Sequence, residues 1–178
     1  MTHDDNSLVE RARAGDRVAY QHLLERHYDM MFRVAYRYTG QRADAEDIAQ
    51  EVCVGLVRKL HSFGGKSSFT TWLYRVVVNS CRDMQKHRKS VLRSEDGYIE
   101  LDALGHAEQA DTNRKVQWLY RAIGALEPTL KETALLVLTE ELSHAEAGAI
   151  LGCKESTVSW RMHEVRKLLK DAMGSYHE

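Results

Sequence analysis

The side chains in this chain best equipped for bond-making chemistry are nine histidines and three cysteines, and their spacing argues against that use. His3, His22, His27, His61, His87, His106, His144, His163 and His177 form no pair at metal-ligand spacing matched to a carboxylate or cysteine pattern. His22 and His27 stand five apart and share a helix face poorly. A metal-dependent enzyme built on these histidines is therefore disfavoured. Cys53, Cys81 and Cys153 are too scattered for a disulfide framework or a zinc knuckle, and an odd count suits a reducing cytosol. Cys81 and Cys153 are expected to act as small buried apolar residues. No catalytic residue, metal or cofactor is expected. What remains is recognition: carboxylates that could dock a basic partner, and cations beside flat rings that could hold phosphates and bases.

A chain of 178 residues with 43% hydrophobic and 29% charged residues has globular composition. One proline and eleven glycines leave few breaks, and apolar residues recur every three or four positions, which predicts an all-α fold. No apolar run reaches the length of a membrane span, and the polar, acidic start MTHDDNSLVE is unlike a signal peptide. Net charge is −1, but it is divided unevenly. Residues 1–90 carry 15 Lys and Arg against 11 Asp and Glu; residues 91–113 carry one arginine against six acids; residues 114–178 balance at nine each. We read 1–90 and 114–178 as two small helical domains and 91–113 as an acidic linker. An acidic surface loop inside one domain is the alternative. The whole-chain charge says nothing against a nucleic-acid partner, because the field that matters is local.

In the first domain, Asn6 can cap a short helix that Gly15 ends, and Asp16 a longer one closed by Thr39-Gly40. Tyr20, Leu23, Leu24, His27, Tyr28, Met31, Phe32, Ala35 and Tyr36 form the longer helix's apolar stripe. A third helix from near Asp44 buries Ala45, Ile48, Ala49, Val52, Leu56, Val57 and Leu60, and turns Asp44, Glu46, Asp47, Gln50 and Glu51 outward. Carboxylates in a first turn also favour the helix dipole, so part of that cluster has a purely local explanation. The glycine-bearing loop 61–68 offers Phe63, which looks exposed, and Lys66. A fourth helix follows, despite a Val76–Val78 run that locally favours strand. Its polar side carries Arg75, Asn79, Arg82, Lys86, Arg88 and Lys89 near Trp72 and Tyr74. That combination suits single-stranded DNA, although a solvated charged face is the plain alternative.

In the second domain, Val116, Leu119, Tyr120, Ile123 and Leu126 form one apolar stripe, and Pro128 opens a helix over about 130–139 with Ala134, Leu135, Val137 and Leu138 inward. Ser143-His144-Ala145-Glu146 is a capping box starting a short helix that Gly152 ends. The last helix, about 155–170, turns Val158, Met162, Val165, Leu168 and Leu169 inward. Two helices about a glycine turn, the second longer and basic, describe a helix-turn-helix. Ser156, Thr157, Ser159, Trp160, Arg161, His163 and Arg166 are its candidate DNA contacts. Generic four-helix packing, or a conventional helix-turn-helix regulator that binds DNA as a dimer, are the competing readings.

DAEDIAQEVCVGLVRKLHSFGGKSSFTTWLYRVVVNSCRD, preceded by AGDRVAYQHLLERHYDMMFRVAYRYTG, resembles the second conserved region of bacterial extracytoplasmic-function (ECF) sigma factors. LSHAEAGAILGCKESTVSWRMHEVRKLL resembles their fourth-region helix-turn-helix. The resemblance covers nearly the whole chain in the expected order. It implies a region 2 helical bundle and a region 4 helix-turn-helix, in a monomeric cytoplasmic initiation factor with no covalent chemistry and no membrane contact of its own. The first domain would dock on the clamp of the largest subunit of core RNA polymerase through Asp44, Glu46, Asp47, Gln50 and Glu51, with Leu60 below. The second would meet the flap of the second-largest subunit. The resemblance places capture of a flipped −10 base at Phe63, the Gly64–Ser68 loop with Lys66, Trp72, Arg75 and Asn79, with Arg82 and Lys86 alongside. Region 4 would read the −35 element. A one-to-one complex with an anti-sigma factor is implied as the means of silencing.

Five positions depart from the family's habit. Ser159 and Glu164 stand where basic residues are common, Lys154 where a proline or capping serine is common. Ala147-Gly148 replaces a bulkier pair, and the glycine is expected to soften the helix by about 1 kcal/mol.

Overall fold

The computed structural model describes residues 4–94 and 114–174, with side-chain surroundings over 4–88 and 118–173. The acidic segment read as a linker lies outside the described residues from 95 to 113, as do the side chains of Lys89 and Val116. The chain divides into two compact units whose boundary falls at Leu101–Asp102, within that segment. All elements among the described residues are helical.

The first unit holds α1 (Asp5–Arg13), α2 (Arg17–Thr39), α3 (Arg42–Lys59), a single 3-10 turn (Leu60–Ser62) and α4 (Phe69–Ser94). α1 starts ahead of the expected Asn6 cap, because Asp5 is held by α2: its carboxylate takes an ion pair from Arg26 and a 3.0 Å bond with His27 Nε2. Asp16 caps α2 as expected, accepting from Val18 and Ala19 N–H at 2.9 and 3.1 Å and from Arg11 Nε at 2.8 Å. The Ala19 and Arg11 bonds hold its carboxyl below the usual carboxylate range. Gly40, at φ +74°, closes α2 in the left-handed region that favours glycine. α1, α3 and α4 all pack on α2 or its neighbours around Leu8, Leu23, Met31, Ile48, Leu56, Leu73 and Cys81, each essentially inaccessible. The valine run in α4 is helix, because Val77 and Val78 both reach this core. α4 also runs four residues past the expected boundary at 90.

Two sequence expectations fail here. Val57 is 49% exposed and Tyr36 40% exposed, so neither belongs to the core. Leu60 is interior at 1% exposure, as its place in the buried stripe predicts, and so lies under the docking face without forming part of its surface.

The second unit contains α5 (Arg114–Gly124), α6 (Pro128–Ala134), α7 (His144–Leu151) and α8 (Glu155–Gly174). α6 does not run regularly to Thr139. Residues Leu135–Thr139 widen into a π-turn, closed by Glu140 N–H to Leu135 O at 3.2 Å and by the Thr139 hydroxyl to the same carbonyl at 2.6 Å. The wider turn keeps Leu135 and Leu136 buried and leaves Leu138 39% exposed, against expectation. Glu141 follows at φ +55°, the one non-glycine residue in that region among the described residues. Ile123, Ala134, Leu136, Ile150, Val158, Met162 and Val165 form the core, while Leu168, expected inward, is 42% exposed. Cys153 is half-buried rather than buried.

Candidate docking and nucleic-acid surfaces

α3 sorts its acidic residues into two kinds. Asp47, Gln50 and Glu51 are exposed, on a face continued by Val54 and Val57, and Glu46 is half-exposed and paired with Arg42 Nε at 2.8 Å. Asp44 is different. It is 6% exposed, accepts a 2.5 Å bond from Arg88 Nη2 of α4, and its second oxygen is buried with no partner. The expectation that Asp44 lies on the open face is corrected. Its position in the first turn points it at α4, and a long-range ion pair claims it.

The loop side is corrected at Phe63. The ring is 6% exposed, edge-on to Phe69 at 5.7 Å and tilted against Trp72 at 5.5 Å. Three clustered rings bury more apolar surface than one ring held in water, so Phe63 becomes the floor of the loop. Arg13 of α1 covers it. Its Nε and Nη2 donate to Leu60 O at 2.9 and 2.7 Å, Nη2 also donates to Phe63 O, and the guanidinium sits 5.9 Å from the Phe63 ring. Gly64, Gly65, Lys66 and Ser68 above it are exposed, with Gly65 at φ +67°. Ser68 caps α4, its hydroxyl oxygen accepting Thr71 N–H at 3.1 Å.

Along α4, the remaining expected residues do converge. Trp72, Arg75, Asn79, Arg82 and Lys86 recur at three- and four-residue intervals and so form one stripe. Arg75, Asn79 and Lys86 are exposed, Trp72 and Arg82 half-buried, and Arg82 donates to Asn79 Oδ1 at 3.2 Å. This is a basic row led by one indole and an open glycine loop.

In the second unit, the capping box forms as expected: Ser143 Oγ accepts Glu146 N–H at 3.2 Å while Glu146 Oε2 accepts Ser143 N–H at 2.9 Å. Bonds from Ser143 lower the Glu146 carboxyl from its ordinary value. Gly152, at φ +71°, makes the turn. Gly148 is not the weak point expected. A Cβ there would lie 2.9 Å from Cys153 O, so only glycine lets the turn fold back this closely, and Cys153 N–H bonds Gly148 O at 3.0 Å.

On α8 the outermost row is Ser156, Trp160, His163 and Lys167, all exposed, with Ser159 and Arg166 on one flank and half-buried Thr157 and Arg161 on the other. Lys167 was missed, although the same spacing extends to it. Ser159 is engaged: its hydroxyl donates to Glu155 O at 3.1 Å and meets His144 Nδ1 at 2.9 Å. A hydroxyl has one proton and a carbonyl can only accept, so Nδ1 carries the hydrogen and donates to Ser159. His144 had no sequence signal, since its partner stands 15 residues away.

Residues 23–91 match the family Sigma-70 region 2, and residues 116–169 match Sigma-70, region 4. The ECF RNA polymerase sigma factor SigE of Mycolicibacterium smegmatis is 30% identical over 177 residues, covering 91% of this chain and 65% of that protein. The ECF RNA polymerase sigma-E factor of Haemophilus influenzae is 29% identical over 178 residues, 94% of each chain. Among solved structures, the sigma factor RpoE from Bartonella quintana, in complex with the anti-sigma factor NepR, shares the fold. Its TM-score is 0.73 at 21% identity, over 87% of this chain and 96% of that one. The chain belongs to the extracytoplasmic-function branch of the sigma-70 family.

Proposed function

We propose that the protein is a transcription initiation factor that binds core RNA polymerase, directs it to promoters through −10 and −35 elements and helps open the DNA. The observation that carries this reading is the order of two surfaces in one chain: an aromatic-led basic row on α4, then a helix-turn-helix. The exposed face of α3, with Asp47, Gln50 and Glu51 at its centre and Glu46 at its edge, is the surface for the polymerase clamp. Asp44 and Leu60 support that face from inside rather than touching the partner. Lys66, Trp72, Arg75, Asn79, Arg82 and Lys86 hold the −10 strand, cations on phosphates and the indole against a base, with Phe63 beneath them. Unstacking a base costs a few kcal/mol, about what a pocket and one stacking contact return. On α8, Ser156, Trp160, His163 and Lys167 face the −35 groove, Thr157, Arg161 and Arg166 flank it, and Ser159 positions rather than reads. The second unit also meets the flap of the second-largest polymerase subunit. Such a factor works in the cytoplasm, where polymerase and DNA are.

An anti-sigma factor that covers these surfaces in a one-to-one complex fits the same reading, supported by the partner named with the RpoE structure. Run-off transcription with purified core polymerase on a genomic promoter library tests the whole. Initiation that depends on the protein, at a shared −35/−10 pair, is expected. A dimer that binds palindromic DNA and ignores core polymerase would overturn it. Co-expression with neighbouring genes and pull-down tests the inhibitor; a factor that is constitutively active with nothing bound would remove it.

A further inference from the structure

We infer that Arg13, from a helix outside the residues matched to region 2, is a positioning residue for capture of the −10 base. This rests on the −10 reading above. Base capture falls to a loop with little stiffness of its own: Gly64 and Gly65 have open space where a Cβ would be, and Gly65 takes a left-handed conformation. Its geometry must therefore be set at its ends. The α4 end is set by Ser68, which caps the helix and bonds Thr71 Oγ1 at 2.8 Å. The other end is one 3-10 turn, closed by Phe63 N–H to Leu60 O at 3.1 Å and too short to hold itself. Arg13 adds two bonds to that carbonyl and takes the free Phe63 carbonyl beyond it. Its planar fork spans Leu60 O and Phe63 O, while Glu10 Oε1 holds Nη1 at 2.7 Å and fixes the fork's orientation.

The same guanidinium lies over the Phe63 ring, whose other contacts are Phe69 and Trp72. Arg13 thus sets the backbone where the loop departs and the ring packed against the indole that meets the base. It acts through these groups and touches no DNA. Lysine keeps the charge but offers no fork, so charge alone does not replace it.

The test uses the full chain with core polymerase on a promoter isolated with the unaltered factor, reading promoter opening by permanganate reactivity. Core affinity and thermal midpoint are measured alongside. Arg13→Met is expected to slow opening about tenfold, in keeping with loss of charge-assisted hydrogen bonds, with core affinity unchanged. Arg13→Lys recovers only part of the rate. In a loop variant, Lys66→Ala with Ser67→Gly, the Arg13→Met effect shrinks, because the element it positions is already impaired. An opening rate equal to the unaltered factor's, or an undiminished loss in the loop variant, overturns the inference. Should Arg13→Met unfold, Glu10→Ala frees only the exposed Nη1 arm, and its failure to slow opening overturns it as well. A factor that binds core yet opens no promoter even unaltered disproves the −10 reading itself, and this inference with it.

Discussion

Asp44 and Glu51 sit on the same helix seven residues apart, and one is structure while the other is surface. Arg88→Met leaves the Asp44 carboxylate buried without its ion-pair partner. Since Arg88 is itself half-exposed, the loss is about 1–3 kcal/mol rather than the full cost of an interior pair, read by urea denaturation. Glu51→Ala changes stability by less than about 0.5 kcal/mol, and its effect appears as weaker competition for core polymerase. His27 adds a pH dependence. Burial lowers its pKa from 6.5, against the opposing pull of Asp5. The unfolded chain therefore takes up the proton first as pH falls. The contribution is complete above pH 6.5 and declines below it, until the folded form is protonated too. Thermal midpoints measured from pH 7.5 down to about 5.5 should fall, and less steeply in a His27→Gln variant.

Helix ends follow local rules and were legible for that reason. The Asp16 cap, the Gly40 and Gly152 terminations and the Ser143–Glu146 box each need only residues within four positions of one another. What escaped were departures forced from a distance. The π-turn at 135–139 and the outward Leu138 have no periodic signal, because the pattern continues as if α6 were regular. Gly148 was misread for the same reason: helix propensity registers a missing Cβ, not the Cys153 carbonyl that occupies its place. Gly148→Ala is accordingly expected to destabilise the helix-turn-helix by about 1–3 kcal/mol through overpacking. Glu141→Gly relieves an unfavourable φ and is expected to be stabilising by about 1 kcal/mol or less. Opposite shifts in the denaturation midpoint of the two variants would check both.

At the scale of the molecule, the all-α class and the two-part division were visible in composition and charge, since both are properties of long stretches of chain. The surfaces were legible to the extent that each lies along one helix. The rows on α4 and α8 follow from spacing, and Lys167 would have joined them had the count continued. Phe63 and Asp44 were misplaced because Arg13 and Arg88, which claim them, stand 50 and 44 residues away; Ser159 is exposed as expected, and only its bond to His144, 15 residues away, had no signal. Charge also sets how binding responds to salt. If Lys167 neutralises a phosphate beside the −35 element, Lys167→Ala lowers the slope of log affinity against log salt by about 1, with sequence preference intact. The comparison is made by titrating promoter DNA into the polymerase complex at several potassium concentrations.

Trp160, 62% exposed at the centre of the α8 row, gives the protein an optical consequence. The chain has three tryptophans, and the other two, Trp72 and Trp118, are half-buried. The indole in most water therefore dominates the red edge of the emission spectrum. If duplex DNA covers α8, that edge is quenched or shifts to the blue. Binding of DNA to the free factor can thus be timed in an unlabelled sample.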